Sequence, residues 1–172
     1  KKASAEYVIG TRERISNKTP IIGEYNVNNE GSGDMYYKGA NTLHTLRQLV
    51  DDDDKWRQIL RGIGETYYHQ TVSSETVEAY ISEQSGLKLD AFFDQYLRTT
   101  MIPVLEYKTD GKKLSFRYSE IVKGFKMPLQ VTVNGKEQWL NPSAKWKHKK
   151  FDSTIASFKV ADDFYVKSKK ME

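Results

Sequence analysis

The chain has 172 residues, of which 38% are hydrophobic, 29% charged and 12% aromatic, which is enough apolar material to bury a core and excludes wholesale disorder. It contains no cysteine, excluding disulfides, thiolate metal ligands and thiol nucleophiles, and no stretch approaches the ~20 apolar residues of a membrane-spanning helix. The net charge of +4 is unevenly spread: residues 104–172 hold 15 Lys+Arg against 8 Asp+Glu, whereas residues 1–103 hold 12 against 15.

Lys1–Tyr7 reads as the inside of a longer chain, with no apolar targeting segment at its start. Residues 3–14 have the character of a helix tail, and residues 15–34, with Pro20, Gly23, Asn28, Asn29, Gly31 and Gly33, that of an irregular loop. A helix is expected from about Tyr36 to Val50, carrying Leu43, Leu46 and Leu49. Trp56, Ile59, Leu60 and Ile63 then mark a single apolar stripe at i, i+3, i+4 and i+7. Ser74 suits the N-cap of a further helix ending at Gly86, and Asp90 suits the cap of a last one bearing Phe92, Phe93, Tyr96 and Leu97. That helix must stop before Pro103.

Beyond Pro103 the period changes. Val104–Lys108 and Leu114–Tyr118 flank Asp110-Gly111, and Met127–Val133 and Lys136–Leu140 flank Asn134-Gly135, two hairpin signals. Ile155–Val160 and Phe164–Lys167 are two more strand candidates. Helices followed by strands predict an α+β fold, with a helical unit at 1–103 and a small antiparallel, sandwich-like β unit at 104–172. At about 69 residues the β unit is small for independent stability and is expected to lean on the helices.

Several motifs invite chemistry. Asp51–Lys55 spells the enteropeptidase recognition string, but between two helical patterns the acidic run suits a helix end and the next cap. His44, His69 and His148 lack the spacing of a zinc site, and no H-E-x-x-H occurs, so the chain alone is expected to bind no metal. Lys145–Lys150 interleaves Trp146 with cations as a nucleic-acid surface does. No nucleic-acid-binding motif accompanies it, and lysines protecting a strand edge explain it as well; no nucleic-acid partner is expected.

Asp34-Met35-Tyr36-Tyr37-Lys38-Gly39-Ala40, opening the helix with Leu43 and Leu46, resembles the Y-x-K-G-A segment of the gluzincin zinc aminopeptidases, the family of aminopeptidase N. Asp90–Leu97, ending at Ile102-Pro103, resembles the family's F-F-x-Q-W…G-x-P stretch, with Tyr96 in place of the usual Trp and Met101 in place of the usual Gly. The likeness covers about 30–105 well and extends to the β unit as the small domain that follows in many members.

The resemblance implies the C-terminal part of a peptidase domain plus that β domain, from a parent that removes N-terminal residues from peptides. It maps the catalytic tyrosine onto Tyr36, a donor to the tetrahedral oxyanion. A phenol, with an ordinary pKa of ~10, is protonated at neutral pH and suits that task. The parent's zinc, H-E-x-x-H helix, third-ligand glutamate and G-x-M-E-N loop would lie upstream in the rest of the peptidase domain. Residues 1–35 contain none of them, and Glu6, Glu24 and Glu30 have no histidine partners. This chain alone is therefore expected to be inactive. The rival reading is a non-catalytic β-rich binding module with a helical docking domain.

Overall fold

Apolar residues at helical spacing give way to alternating ones near Pro103, and the backbone follows. A computed structural model describes residues 2–24, 26–27 and 31–172; Lys1, Tyr25, Asn28, Asn29 and Glu30 lie outside the described residues. Five α-helices precede seven strands among those described. α1 (Lys2–Gly10) runs into a 3₁₀ turn (Thr11–Arg14), and α2 (Asp34–Val50) begins after the loop. α3 (Asp53–Thr66), α4 (Ser74–Ser85) and α5 (Asp90–Leu97) complete the helices.

The helix ends follow from particular side chains. Asp51 closes α2 in the left-handed region at φ 52, and Asp52 caps α3 by accepting the N–H groups of Asp54 and Lys55 at 3.0 Å each. The acidic run is thus an ordered connection between helices. Ser73, not Ser74, caps α4, its hydroxyl accepting the Thr76 N–H at 3.3 Å, so Ser74 is the first helical residue. Asp90 likewise stands inside α5, where a carboxylate still faces the positive helix end. Gly86 ends α4 at φ 76, a conformation open to a residue without Cβ, and its N–H returns to the Ser82 carbonyl at 2.9 Å.

The strands are β1 (Val104–Asp110), β2 (Lys113–Ser119), β3 (Leu129–Val133), β4 (Lys136–Leu140), β5 (Lys147–Lys150), β6 (Phe158–Val160) and β7 (Lys167–Lys170). They form a four-stranded sheet in the order β5-β2-β1-β7 and a three-stranded sheet in the order β4-β3-β6. Both predicted hairpins form, with Asp110 opposite Lys113 and Val133 opposite Lys136. All pairings are antiparallel except β1 with β7, which is parallel.

Two expectations for the strands are corrected and one segment is decided. Lys147–Lys150, read as a solvated loop or a lysine-protected strand edge, pairs with β2 as an edge. Of Ile155–Val160 only the last three residues are extended in the sheet, because the Asn134 side chain accepts the Ala156 and Ser157 N–H groups and holds that stretch as a loop. Phe164 is no strand residue but a buried plug at 1% exposure, and the last strand begins at Lys167, whose N–H meets the Pro103 carbonyl at 2.9 Å.

One apolar core runs through helices and sheets. Leu105, Leu114, Phe116 and Tyr118 of one sheet face Leu129, Val131, Val133 and Leu140 of the other, all buried. The small β portion does lean on the helices: Tyr96 of α5 is fully buried, with its ring 6.3 Å from Phe125 and 6.0 Å from Tyr165. No helix among the described residues is long and apolar enough to cross a membrane.

Candidate functional site

At about 100° per residue, Asp34, Lys38, Asn41 and Thr45 fall on one stripe of α2. All four are polar and all are buried. The Asp34 carboxylate accepts the N–H groups of Ser16 and Asn17, which fastens the incoming loop to the helix start. Lys38 donates from its ammonium to the Thr99 carbonyl at 2.7 Å, tying α2 to the end of α5. Burial pushes the Lys38 pKa below its usual value, with Asp34 opposing.

Asn41 is a hub. Its amide nitrogen donates to the carbonyls of Val8 and Tyr37 and to the Thr11 hydroxyl, and its oxygen accepts the Arg12 Nε–H at 2.7 Å. Thr45 accepts the Tyr165 N–H at 2.9 Å, and His44 meets Asp163 at 2.8 Å, so the same helix also grips the β portion. These bonds leave α2 no freedom to roll about its axis.

Tyr36 lies on the opposite face, a little over half a turn from Asp34. It is 70% exposed, and its hydroxyl has no hydrogen-bond partner among the described residues. Leu43 and Met35, 42% and 43% exposed, continue that outward surface. The neighbouring Tyr37 differs: Arg14 lies against its ring at 5.6 Å and donates to its hydroxyl at 3.4 Å. Of the two adjacent tyrosines, Tyr36 is the one whose hydroxyl has no protein partner among the described residues and stands outward, while that of Tyr37 accepts from Arg14.

The second stretch singled out from the sequence is a joint. Gln95, fully buried, donates to the Met101 and Glu120 carbonyls at 2.7 and 3.0 Å and accepts the Val122 N–H at 2.7 Å. The Met101 N–H goes to the Thr99 hydroxyl at 3.2 Å and its carbonyl accepts from the Gln95 amide, so this turn is held by side chains. Tyr96 donates its hydroxyl to the Tyr165 carbonyl at 2.8 Å.

No family model matches this chain, and no curated protein matches it in sequence. A solved structure does resemble it: the aminopeptidase A of Legionella pneumophila, in complex with aspartic acid, superposes at a TM-score of 0.64 with 14% identity. The fold is one found in an aminopeptidase. The likeness covers 82% of this chain and 18% of that one, so the chain spans less than a fifth of the neighbour's length.

The histidines stand apart from one another. His44 is bound to Asp163, His69 lies at φ 54 with its ring 4.1 Å from that of Tyr68, and His148 on β5 contacts the Ser115 hydroxyl at 2.9 Å. Among the described residues no three His, Asp or Glu side chains cluster closely enough to hold a metal ion. These residues do not fit a zinc site.

Trp146, the aromatic of the lysine-rich segment, lies under the Arg117 guanidinium at 4.9 Å and near the Lys108 ammonium at 5.8 Å. Its face is already occupied, and Lys147 and Lys149 donate to Asn141 and Gln138. The basic composition there accords with an edge strand guarded against further pairing.

Proposed function

We propose that this chain is a piece of a zinc-dependent aminopeptidase, the C-terminal part of its catalytic domain (1–103) followed by a small β domain (104–172). The enzyme's reaction is removal of N-terminal residues from peptides. Tyr36 is its oxyanion donor: the hydroxyl gives a hydrogen bond to the scissile carbonyl oxygen as that oxygen becomes a tetrahedral anion. One such donor is worth about 2.7–4 kcal/mol of transition-state stabilisation. Zinc, its ligands and the amine-binding residues belong to the remainder of the peptidase domain, so this chain alone does not turn over peptide.

The observation that supports this reading is the two-faced character of α2. Its inward stripe is bonded throughout, while Tyr36 stands exposed with a free hydroxyl beside Met35 and Leu43. A catalytic donor must be held still and yet left uncommitted, and α2 does both for Tyr36. The fold shared with a segment of an aminopeptidase agrees with this.

The test is made in the complete protein. Tyr36→Phe removes one hydroxyl and keeps the ring; kcat falls by about 10²–10³-fold with KM near its original value, because the anion exists only beyond the ground state. Tyr37→Phe stays within a few-fold. Sensitivity at Tyr37 instead would shift the assignment by one residue, and indifference at both would leave the non-catalytic binding module as the better account.

A further inference from the structure

Between the end of α2, the start of α5, the 124–128 loop and β4 lies a pocket of about 600 Å³. Its floor is the buried core residues Phe92, Phe125 and Met127, and its walls are Leu49, Leu87 and the 38%-exposed Trp139. Its volume falls in the usual range of small-ligand sites, and its exposed lining is mostly apolar.

Charge at the mouth narrows what fits. Lys88 and Lys126 both line the pocket and are exposed, and neither ammonium has a partner among the described residues. Asp51 is the one acidic side chain in the lining, leaving an excess of one positive charge. An uncharged apolar guest would leave that excess unused, a cation would meet it unfavourably, and a large polyanion would gain nothing from the apolar floor.

We propose that this pocket binds a small amphipathic monocarboxylate, its apolar body on Phe92, Phe125 and Trp139 and its carboxylate at Lys88 and Lys126. The site is separate from Tyr36: Leu49 lies thirteen residues further along the helix, about 20 Å of rise. None of its residues belongs to the proposed catalytic face, so failure of octanoate binding and failure of the Tyr36 assignment are distinguishable.

Calorimetric titration with octanoate and with 1-octanol, equal in chain length and different in charge, tests it at neutral pH. Octanoate binds once per chain with a Kd of about 0.1–1 mM, and octanol about three- to tenfold more weakly. The double variant Lys88→Gln, Lys126→Gln changes two exposed side chains and lowers octanoate affinity to that of octanol. Ala91→Trp, which fills the pocket from α5, abolishes both. If Ala91→Trp does not fold, the lysine pair decides. Absence of saturable octanoate binding up to about 5 mM, equal affinity for acid and alcohol, or indifference to the lysine variants overturns the proposal. So does self-association of the chain that Ala91→Trp removes, since the occupant is then a second copy.

Discussion

Lys38, Asn41, His44 and Thr45 hold α2 to α1, to the end of α5 and to residues 163–165 by hydrogen bonds, whereas Phe92, Phe93 and Tyr96 hold α5 in the apolar core. The first contact is a line of buried hydrogen bonds; the second is aromatic area removed from water. Burial supplies more of the free energy, since each net hydrogen bond is worth only about 0.5–1.5 kcal/mol and an aromatic side chain buries roughly 150–250 Å². The hydrogen bonds select one arrangement, because each weakens steeply once its donor and acceptor shift out of line or reach. A helix held by area alone has neighbouring packings of similar energy. For the face that carries Tyr36, the bonded contact therefore matters more than its small share of the energy.

Removing aromatic area is the sharpest way to break this contrast. Phe93→Ala is expected to cost about 3–5 kcal/mol in urea denaturation, through lost transfer energy and the cavity left behind. A loss under about 1 kcal/mol would mean that the α5 contact is not the dominant source of stability.

The two contacts should also answer pH with opposite sign. Burial raises the Tyr96 and Tyr118 pKa values and pushes Tyr165 up to about 12. Above about pH 10 the unfolded chain loses phenolic protons that the folded one keeps, so the unfolded state binds fewer protons and stability falls from pH ~10 towards ~12. Lys38 works the other way. Its folded pKa is depressed, the unfolded state holds its proton longer, and its contribution to stability rises as pH climbs from the depressed value to the ordinary one. Urea midpoints across alkaline pH check both signs: Lys38→Met should flatten the rising limb and Tyr165→Phe should soften the falling one.

Within the polar contact, Lys38→Met leaves the Thr99 carbonyl without its donor and should destabilise by about 1–3 kcal/mol. In the complete protein it should lower kcat as well, because Tyr36 is held by the same stripe. A variant of normal activity would sever the proposed link between the seam and the tyrosine.

The smallest effect belongs to a site in neither contact. Asp52→Ala removes the α3 cap and should cost about 1 kcal/mol by thermal or urea unfolding. A larger loss would show the Asp51–Lys55 connection bearing on the core, a route already open through the Lys55 bond to the Ser85 carbonyl at 2.8 Å.

Much of the fold was readable because it rests on local chemistry. The α3 helix, the Gly86 terminus and the Asp110-Gly111 and Asn134-Gly135 hairpins each depend on residues a few positions apart and form as read, although Leu60 of the α3 stripe stands 44% exposed while Trp56 and Ile59 are buried. So does the passage from helix to strand near Pro103. The errors were of another kind. β5 and β7 are nearly all lysine, histidine and serine, with no alternation to betray them, and their pairing is set by β2 and β1. Phe164 looked like a strand residue because nothing local distinguishes a buried plug from one.

The candidate site divides in the same way. Tyr36 could be picked out because a short motif places it at a helix start. Which way it faces could not: Lys38, Asn41 and Thr45 have the composition of a solvated surface, and only their acceptors at Thr99, Val8 and Thr11 and their donor at Tyr165 make them the inside of the helix. The pocket beside Trp139 is further still from local pattern. Leu49, Phe92, Phe125 and Trp139 come from four separate stretches, and side-chain periodicity reports which residues leave water, not the space that remains between them. Propensity and turn chemistry act over a few residues and so are written along the chain; a seam or a cavity is a relation between distant segments, and exists only once they have packed.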